Sequence, residues 1–231
     1  MKPQCPKYLL LYSTSDGHTK TIINLIAKQL SDETNAQCDV VDIKDSRVCV
    51  LSDYEKVLIG ASIRYGKFST AFVEYVEQHA DELNSIPSAF FSVNLTARKE
   101  AKRTAATNPY TRKFLSRSSW FPQLVSVFAG ALWYPRYNLF DRLFIKFIMK
   151  VTGGETDTTK EVVYTDWDAV RRFASEFINL PLTVQPRAKP VVSKKHSWIS
   201  RRSAVSILAL ALASVFFLTQ PWRKLVNAMR R

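Results

Sequence analysis

The sequence predicts a doubly wound α/β fold: a five-stranded parallel sheet with an insertion in its last strand, followed by a C-terminal hydrophobic tail helix. Three observations predict it. Short apolar runs alternate with segments of helical periodicity, as in a sheet covered on both faces. Three of those runs pass directly into loops of small and polar residues. A stretch of twenty residues without a charge, 203–222, stands near the C-terminus.

Each element has its own signal. Tyr8 to Tyr12 is an apolar run of strand length, and helical periodicity follows from Thr19 to Leu30. Val40 to Ile43 reads as an edge strand. Val57 to Ala61, Ala89 to Val93 and Val125 to Ala129 are short apolar runs expected to form buried strands. Helical spacing fills Ala71 to Leu83, Pro109 to Leu115 and Asp168 to Leu180. Between Ala131 and Val162 the last strand is interrupted for longer than an ordinary connection, and Val162-Val163-Tyr164 resumes it. Inside this insertion, Asn138 to Val151 places Arg142, Lys146 and Lys150 in a basic stripe every four residues. Leu139, Phe140, Leu143, Phe144, Phe147, Ile148 and Val151 fill most of the remaining circumference. Such a helix suits a membrane surface or a lid over an apolar ligand, and a core-packed helix would share the pattern.

Charge divides the chain. Residues 182–231 hold ten Lys/Arg and no Asp/Glu, so most of the net +13 belongs to the tail. Pro186 and Pro190 with Lys189, Lys194 and Lys195 mark a basic linker over 182–202. The segment 203–222 is flanked by Arg201 and Arg202, by Arg223 and Lys224, and by Trp198 and Trp222. These are the features of a membrane anchor, spanning or interfacial, with 223–231 as a basic tail. Cys5, Cys38 and Cys49 show no paired spacing, which fits a reducing compartment and no metal site. Met1 to Lys7 is polar and leads straight into a strand, so no signal peptide is expected.

In doubly wound sheets, ligands bind beyond the carboxyl ends of the strands. Three segments are expected there. The turn Ser13, Thr14, Ser15, Asp16, Gly17, His18, Thr19 offers hydroxyls, backbone N–H groups and a helix N-terminus, and has no lysine. Neither G-x-x-x-x-G-K-[ST] nor G-x-G-x-x-G occurs, so a bound monophosphate such as that of FMN fits better than a nucleoside triphosphate. An ordinary βα turn with a Ser/Thr cap has the same composition. The loop Ile63, Arg64, Tyr65, Gly66 and the strand end Ser92, Val93, Asn94, Leu95 complete the rim.

Four runs then show a resemblance: G-A-S-I-R-Y-G at 60–66, P-S-A-F-F-S-V-N-L-T-A-R-K at 87–99, A-G-A-L-W-Y-P-R-Y at 129–137, and G-G-E-T-D-T-T-K-E-V-V-Y-T-D-W at 153–167. The chain resembles the bacterial flavodoxin-like protoporphyrinogen oxidases, also called menaquinone-dependent protoporphyrinogen IX dehydrogenases, over about residues 8–180. The resemblance implies a flavodoxin-like domain over 8–181, with 132–161 as its insertion and non-covalent FMN as cofactor. It implies oxidation of protoporphyrinogen IX to protoporphyrin IX in haem biosynthesis, electrons passing to menaquinone or ubiquinone at the cytoplasmic face of the bacterial inner membrane. By position, Ser13 to Thr19 would hold the FMN phosphate, and Ile63 to Gly66 with Ser92 to Leu95 would flank the flavin ring. The appendage from about Leu182 onward departs from the family pattern.

The segment Arg98 to Arg117 carries a net +6 and could meet two propionates or anionic lipid, with Arg98 and Arg103 as the favoured contacts. Phe144 and Phe147 are the corresponding apolar candidates on the insertion helix. No general base stands out among His18, His79 and His196, and proton loss to water is the expectation. Two other classes stay open: an FMN-dependent NAD(P)H:quinone oxidoreductase, and a membrane-anchored flavodoxin-type electron carrier. Nothing points to nucleic acid, and a homo-oligomer is compatible with the sequence.

Overall fold

The structure is a computed structural model that describes residues 5–184; the expected anchor and basic tail, and all but the first residues of the linker, lie outside the described residues. In chain order the regular elements are β1 (Lys7–Ser13), α1 (His18–Thr34), β2 (Gln37–Asp42), β3 (Lys56–Arg64), β4 (Lys67–Phe68), α2 (Thr70–Gln78), α3 (Ala80–Ser85), β5 (Ser88–Asn94), α4 (Pro109–Leu115), β6 (Leu124–Ala129), β7 (Ala131–Trp133), α5 (Leu139–Thr152), β8 (Glu161–Val163) and α6 (Trp167–Ile178). Five strands form a parallel sheet in the order β2-β1-β3-β5-β6. The short β4 folds back antiparallel on the end of β3.

Alternation along β1 shows why both faces are covered. Tyr8, Leu10 and Tyr12 pack with Ile22, Ile23 and Ile26 of α1 and Phe173 and Phe177 of α6. Leu9 and Leu11 point the other way, into Phe72 and Val76 of α2, Leu83 of α3 and Phe114 of α4. Phe72 stacks on Phe90 at 5.6 Å between ring centroids, and Trp120 closes that layer with its indole N–H donating to Ser88 Oγ at 2.9 Å. Gly60 of β3 faces Phe91 of β5 in register, and a Cβ at Gly60 would overlap the Phe91 ring. The sheet needs a glycine there so that the ring can lie flat over the neighbouring strand.

Local chemistry sets the helix limits. Asn138 caps α5 by accepting from Asp141 N at 2.8 Å, and Gly153 ends the helix at φ +70°. Ser69, Asn108 and Asp166 cap α2, α4 and α6 in the same way. The single helix expected over Ala71 to Leu83 is two helices. The two helices meet at His79, whose backbone leaves helical geometry at φ −109° and ψ 16°; its backbone N–H and ring Nδ1 both bond the Tyr75 carbonyl, and its ring stacks on Tyr75.

The insertion also differs in one respect from an interrupted strand. After Ala129 the chain leaves the parallel sheet through Gly130. β7 then pairs antiparallel with β8 through Ala131–Val163, Leu132–Val162 and Trp133–Glu161. Tyr164 N donates to Gly130 O, so the excursion returns to its starting point. Its core is small: Leu132, Tyr134, Tyr137 and Met149. Among the described residues no helix is long and apolar enough to cross a membrane.

Candidate functional site

The carboxyl ends of β1, β3 and β5 deliver the three expected loops to one cavity of about 580 Å³. β1 and β3 are neighbours although β2 lies between them in sequence, so the cavity opens where the strand order reverses. Its first wall is Thr14, Asp16, His18 and Thr19; its second is Ile63 to Gly66; its third is Val93 to Leu95. The roof is α5, through Phe144, Ile145, Ile148, Met149 and Thr152.

The first loop has the geometry of an anion seat. Gly17 adopts φ +82° and opens α1 with no side-chain cap. Thr14 Oγ1 accepts from Gly17 N at 3.0 Å and tightens the turn. The early N–H groups of α1 therefore point outward with the positive end of its dipole. Thr19 Oγ1 is buried and has no hydrogen-bond partner among the described residues. A second buried orphan sits on the third wall. Asn94 Oδ1 accepts from Ala97 N and Asn108 Nδ2, each at 3.1 Å, which leaves its own amide nitrogen without a partner. Two unpartnered buried donors on one cavity are expensive unless a ligand uses them.

His18 is held in a defined state. Thr165 Oγ1 donates to Ala129 O at 2.7 Å, so it accepts from His18 Nε2 at 2.6 Å. The proton therefore resides on Nε2 and Nδ1 is the bare nitrogen. The ring is wedged edge-on between Trp133 and Trp167. Burial pushes its pKa below 6.5, so the imidazole is neutral at pH 7.

Arg64 ties the second loop to its surroundings. Its guanidinium meets Asp16 of the first loop and Asp141 at the start of α5, the latter at 2.6 Å. The Tyr65 hydroxyl donates to the same Asp141 carboxylate. Together, the Tyr65 hydroxyl and the Arg64 charge hold the Asp141 carboxyl below the usual carboxylate range. Tyr65 itself sits at φ +51° and tilts against Phe144, with ring centroids 5.7 Å apart. Gly66, at φ +75°, lies so close to the Tyr110 ring that an added Cβ would come within 3.2 Å of it.

The structure brings together most of the sequence-derived candidates and sets others apart. Thr14, Asp16, His18, Thr19, Ile63, Arg64, Tyr65, Gly66, Val93, Asn94, Leu95, Arg98 and Phe144 line the cavity. Ser15 and Gly17 contribute the turn rather than side chains to its wall. Ser13 and Ser92 are scaffold: Ser13 Oγ bonds to Ser69 Oγ, and Ser92 Oγ to Thr111 Oγ1, both at 2.7 Å. Arg98 spends its guanidinium on Leu95 O, Thr152 O and Thr152 Oγ1. Arg103 donates to Ala97 O at 3.2 Å, and Phe147 is exposed on the outer side of α5. Arg142, expected in a solvated stripe, instead reaches back to the carbonyls of Tyr134, Pro135 and Tyr137.

Sequence reasoning missed Asn108, Asp141, Tyr110 and Tyr137; Lys99 and Lys102 fell inside the basic segment Arg98 to Arg117, where Arg98 and Arg103 were favoured over them. Asn108 is fully buried and joins Asn94 Oδ1, Lys102 O and the first turn of α4. The Asn-Pro pair that opens α4 was its only visible signal. Among the described residues no cluster of His, Cys, Asp or Glu could hold a metal.

Comparison with known proteins supplies the remaining findings. The flavodoxin domain family matches residues 9–159. A Leishmania major protein named protoporphyrinogen IX dehydrogenase [quinone] is 66% identical over 215 residues, 93% of each chain. The Escherichia coli K12 protein of the same name is 53% identical over 174 residues, 75% of this chain and 96% of that one. An oxidised flavodoxin from Bacillus cereus has a TM-score of 0.41 at 17% identity, covering 74% of this chain and 97% of that one. The Leishmania match is longer than the part of the chain that precedes residue 185, so it runs into the C-terminal segment. The appendage is thus shared with a relative rather than peculiar to this sequence.

Proposed function

The chain belongs to the protoporphyrinogen IX dehydrogenase [quinone] family of flavodoxin-domain proteins, and on that premise we propose that it oxidises protoporphyrinogen IX to protoporphyrin IX with FMN as cofactor and a membrane quinone, menaquinone or ubiquinone, as acceptor. The observation that carries this reading is the pair of orphaned buried donors, Thr19 Oγ1 and Asn94 Nδ2, on one cavity at the sheet's switch point. The residues present fit FMN. The turn Thr14 to Thr19 would take the phosphate with hydroxyls and N–H groups. Ile63 to Gly66 on one side and Val93 to Leu95 on the other would hold the ring. When bound, the flavin supplies two-electron chemistry and can be reoxidised by a quinone.

The chain's own contribution is position, exclusion of water and charge. α5 lays an apolar roof over part of the cavity, against which a flat ring would pack and be partly shielded from water. Neutral His18 adds no charge beside the phosphate turn, and Arg64 offsets the Asp16 carboxylate there. The outer face of α5 exposes Phe140, Phe147 and Val151 beside Lys146 and Lys150. That face suits an anionic membrane surface, where a lipid-soluble quinone would be available. We place the protein accordingly at the cytoplasmic face of the inner membrane, with 203–222 as a further anchor.

Anaerobic spectroscopy of the FMN-loaded full chain tests the reading. Protoporphyrinogen IX should bleach the flavin band, and a menaquinone analogue should restore it. A flavin that ignores the porphyrinogen but is bleached by NAD(P)H would replace this reading by an NAD(P)H:quinone oxidoreductase.

A further inference from the structure

The cavity lining extends past the three flavin loops, and the added residues have a distinct chemistry. They include Arg98, Lys99 and Lys102 from the segment after β5 and the α5 side chains Phe144, Ile145 and Ile148. Among the described residues Asp16 is the one carboxylate on the lining, and Arg64 already pairs with it. This part of the lining is therefore cationic on the segment after β5 and apolar on α5.

The cations there are not equivalent. Arg64 is taken up by Asp16 and Asp141. Arg98 is taken up by three oxygens of the Leu95 turn and the end of α5. Lys99 and Lys102 make no side-chain hydrogen bond or ion pair among the described residues, and both are exposed. Their backbone is nonetheless braced. Lys99 N donates to Thr96 O at 3.2 Å, Lys102 N to Lys99 O at 2.8 Å, and Asn108 Nδ2 to Lys102 O at 3.1 Å. Two ammonium groups on a braced segment of a cavity that also has apolar α5 side chains in its lining match a flat, largely apolar ligand with carboxylates along one edge. A quinone has no such edge.

We propose that Lys99 and Lys102 form the carboxylate clamp for the tetrapyrrole, seating its propionate edge at the rim while its ring system lies against Phe144, Ile145 and Ile148. The sequence favoured Arg98 and Arg103 for this role, but Arg98 is taken up by Leu95 O and Thr152, and Arg103 does not line the cavity. The clamp rests on the proposed function and makes that reading specific. Because both lysines are solvated, each contributes modestly, and reversing both charges should weaken binding by about tenfold.

The test is a fluorescence titration of the FMN-loaded full chain with protoporphyrin IX, which keeps both propionates, and with its dimethyl ester. Lys99→Glu/Lys102→Glu should weaken protoporphyrin IX by about tenfold, leave the ester unchanged and keep the flavin content of the parent. High salt should reduce the affinity of the parent for the diacid toward that of the variant. Equal diacid affinity in parent and variant would overturn the clamp while leaving the function intact. So would a variant that loses binding only to phosphatidylglycerol vesicles, which would assign the lysines to lipid. If the parent binds neither porphyrin, the function itself fails and the clamp with it.

Discussion

The Arg64 guanidinium reaches the Asp141 carboxylate at 2.6 Å and so fastens the loop after β3 to the first turn of α5. Tyr65 adds a second bond to the same carboxylate. The flavin wall and the roof therefore share one anchor. At the other end, Arg98 fastens Thr152 to the turn after β5.

Asp141→Asn should loosen α5 without disturbing the sheet. The expected result is severalfold faster hydrogen exchange across 139–152 and unchanged exchange in β1, β3 and β5. Because the folded-state pKa of Asp141 lies below its ordinary value of 3.8, the anchor is present at neutral and mildly acid pH and lost only as pH falls through that lower value. After correction for intrinsic rates, protection of α5 should be equal at pH 7 and pH 5. Loss of protection at pH 5 would count against the anchor.

Gly60→Ala tests the packing of β3 on β5. The added Cβ overlaps the fully buried Phe91 ring, which cannot swing clear, so overpacking should cost about 1–3 kcal/mol. Urea denaturation should show a lower midpoint with the slope unchanged. A midpoint equal to the parent's would mean that the ring can move.

Thr19→Val separates ligand binding from folding. Its hydroxyl is buried and has no partner among the described residues, so the apoprotein should be as stable as the parent or more stable by about 1 kcal/mol. FMN affinity should fall by about tenfold if the hydroxyl serves the phosphate. An apoprotein that is clearly less stable would show that the hydroxyl has a structural role.

Phe144 and Phe147 lie on the same helix in different settings. Phe144 lines the cavity against Tyr65, whereas Phe147 is 66% exposed on the outer face. Phe144→Ser should reduce quinone-linked turnover in detergent with FMN retained, and Phe147→Ser should matter only with membranes present. Equal effects of the two in detergent would contradict this division.

His18→Gln tests the buried imidazole. The folded-state pKa is below 6.5, so on acidification the unfolded chain takes up a proton that the folded chain refuses. Stability from this source is present above about pH 6.5 and declines below it. The drop in Tm from pH 7.5 to pH 5.5 should be smaller in the variant. An identical drop in both proteins would remove His18 from the account.

Much of the fold is legible in the sequence. Apolar runs located the five strands because parallel strands covered on both faces need continuous hydrophobic residues. The three loops were found because strand ends converge by topology. The assignment of individual side chains was harder to read. Ser13 and Ser92 look like ligand hydroxyls in sequence, yet their partners are Ser69, the cap of α2, and Thr111 of α4, both distant in sequence. Arg98 was a plausible anion contact until the end of α5 arrived beside it. The backbone at His79 leaves helical geometry in the middle of a well-patterned segment, a break that periodicity does not encode.

The pairing of β7 with β8 has a wider consequence. Trp133 and Glu161 are register partners, so residues 134–160 depart and return at adjacent points on a ladder that holds itself closed. A two-residue hairpin turn could join those points and leave the parallel sheet as it is. The excursion is thus a removable cassette. A designer could transplant it onto another sheet of the same topology to ask how much of the dehydrogenase travels with it.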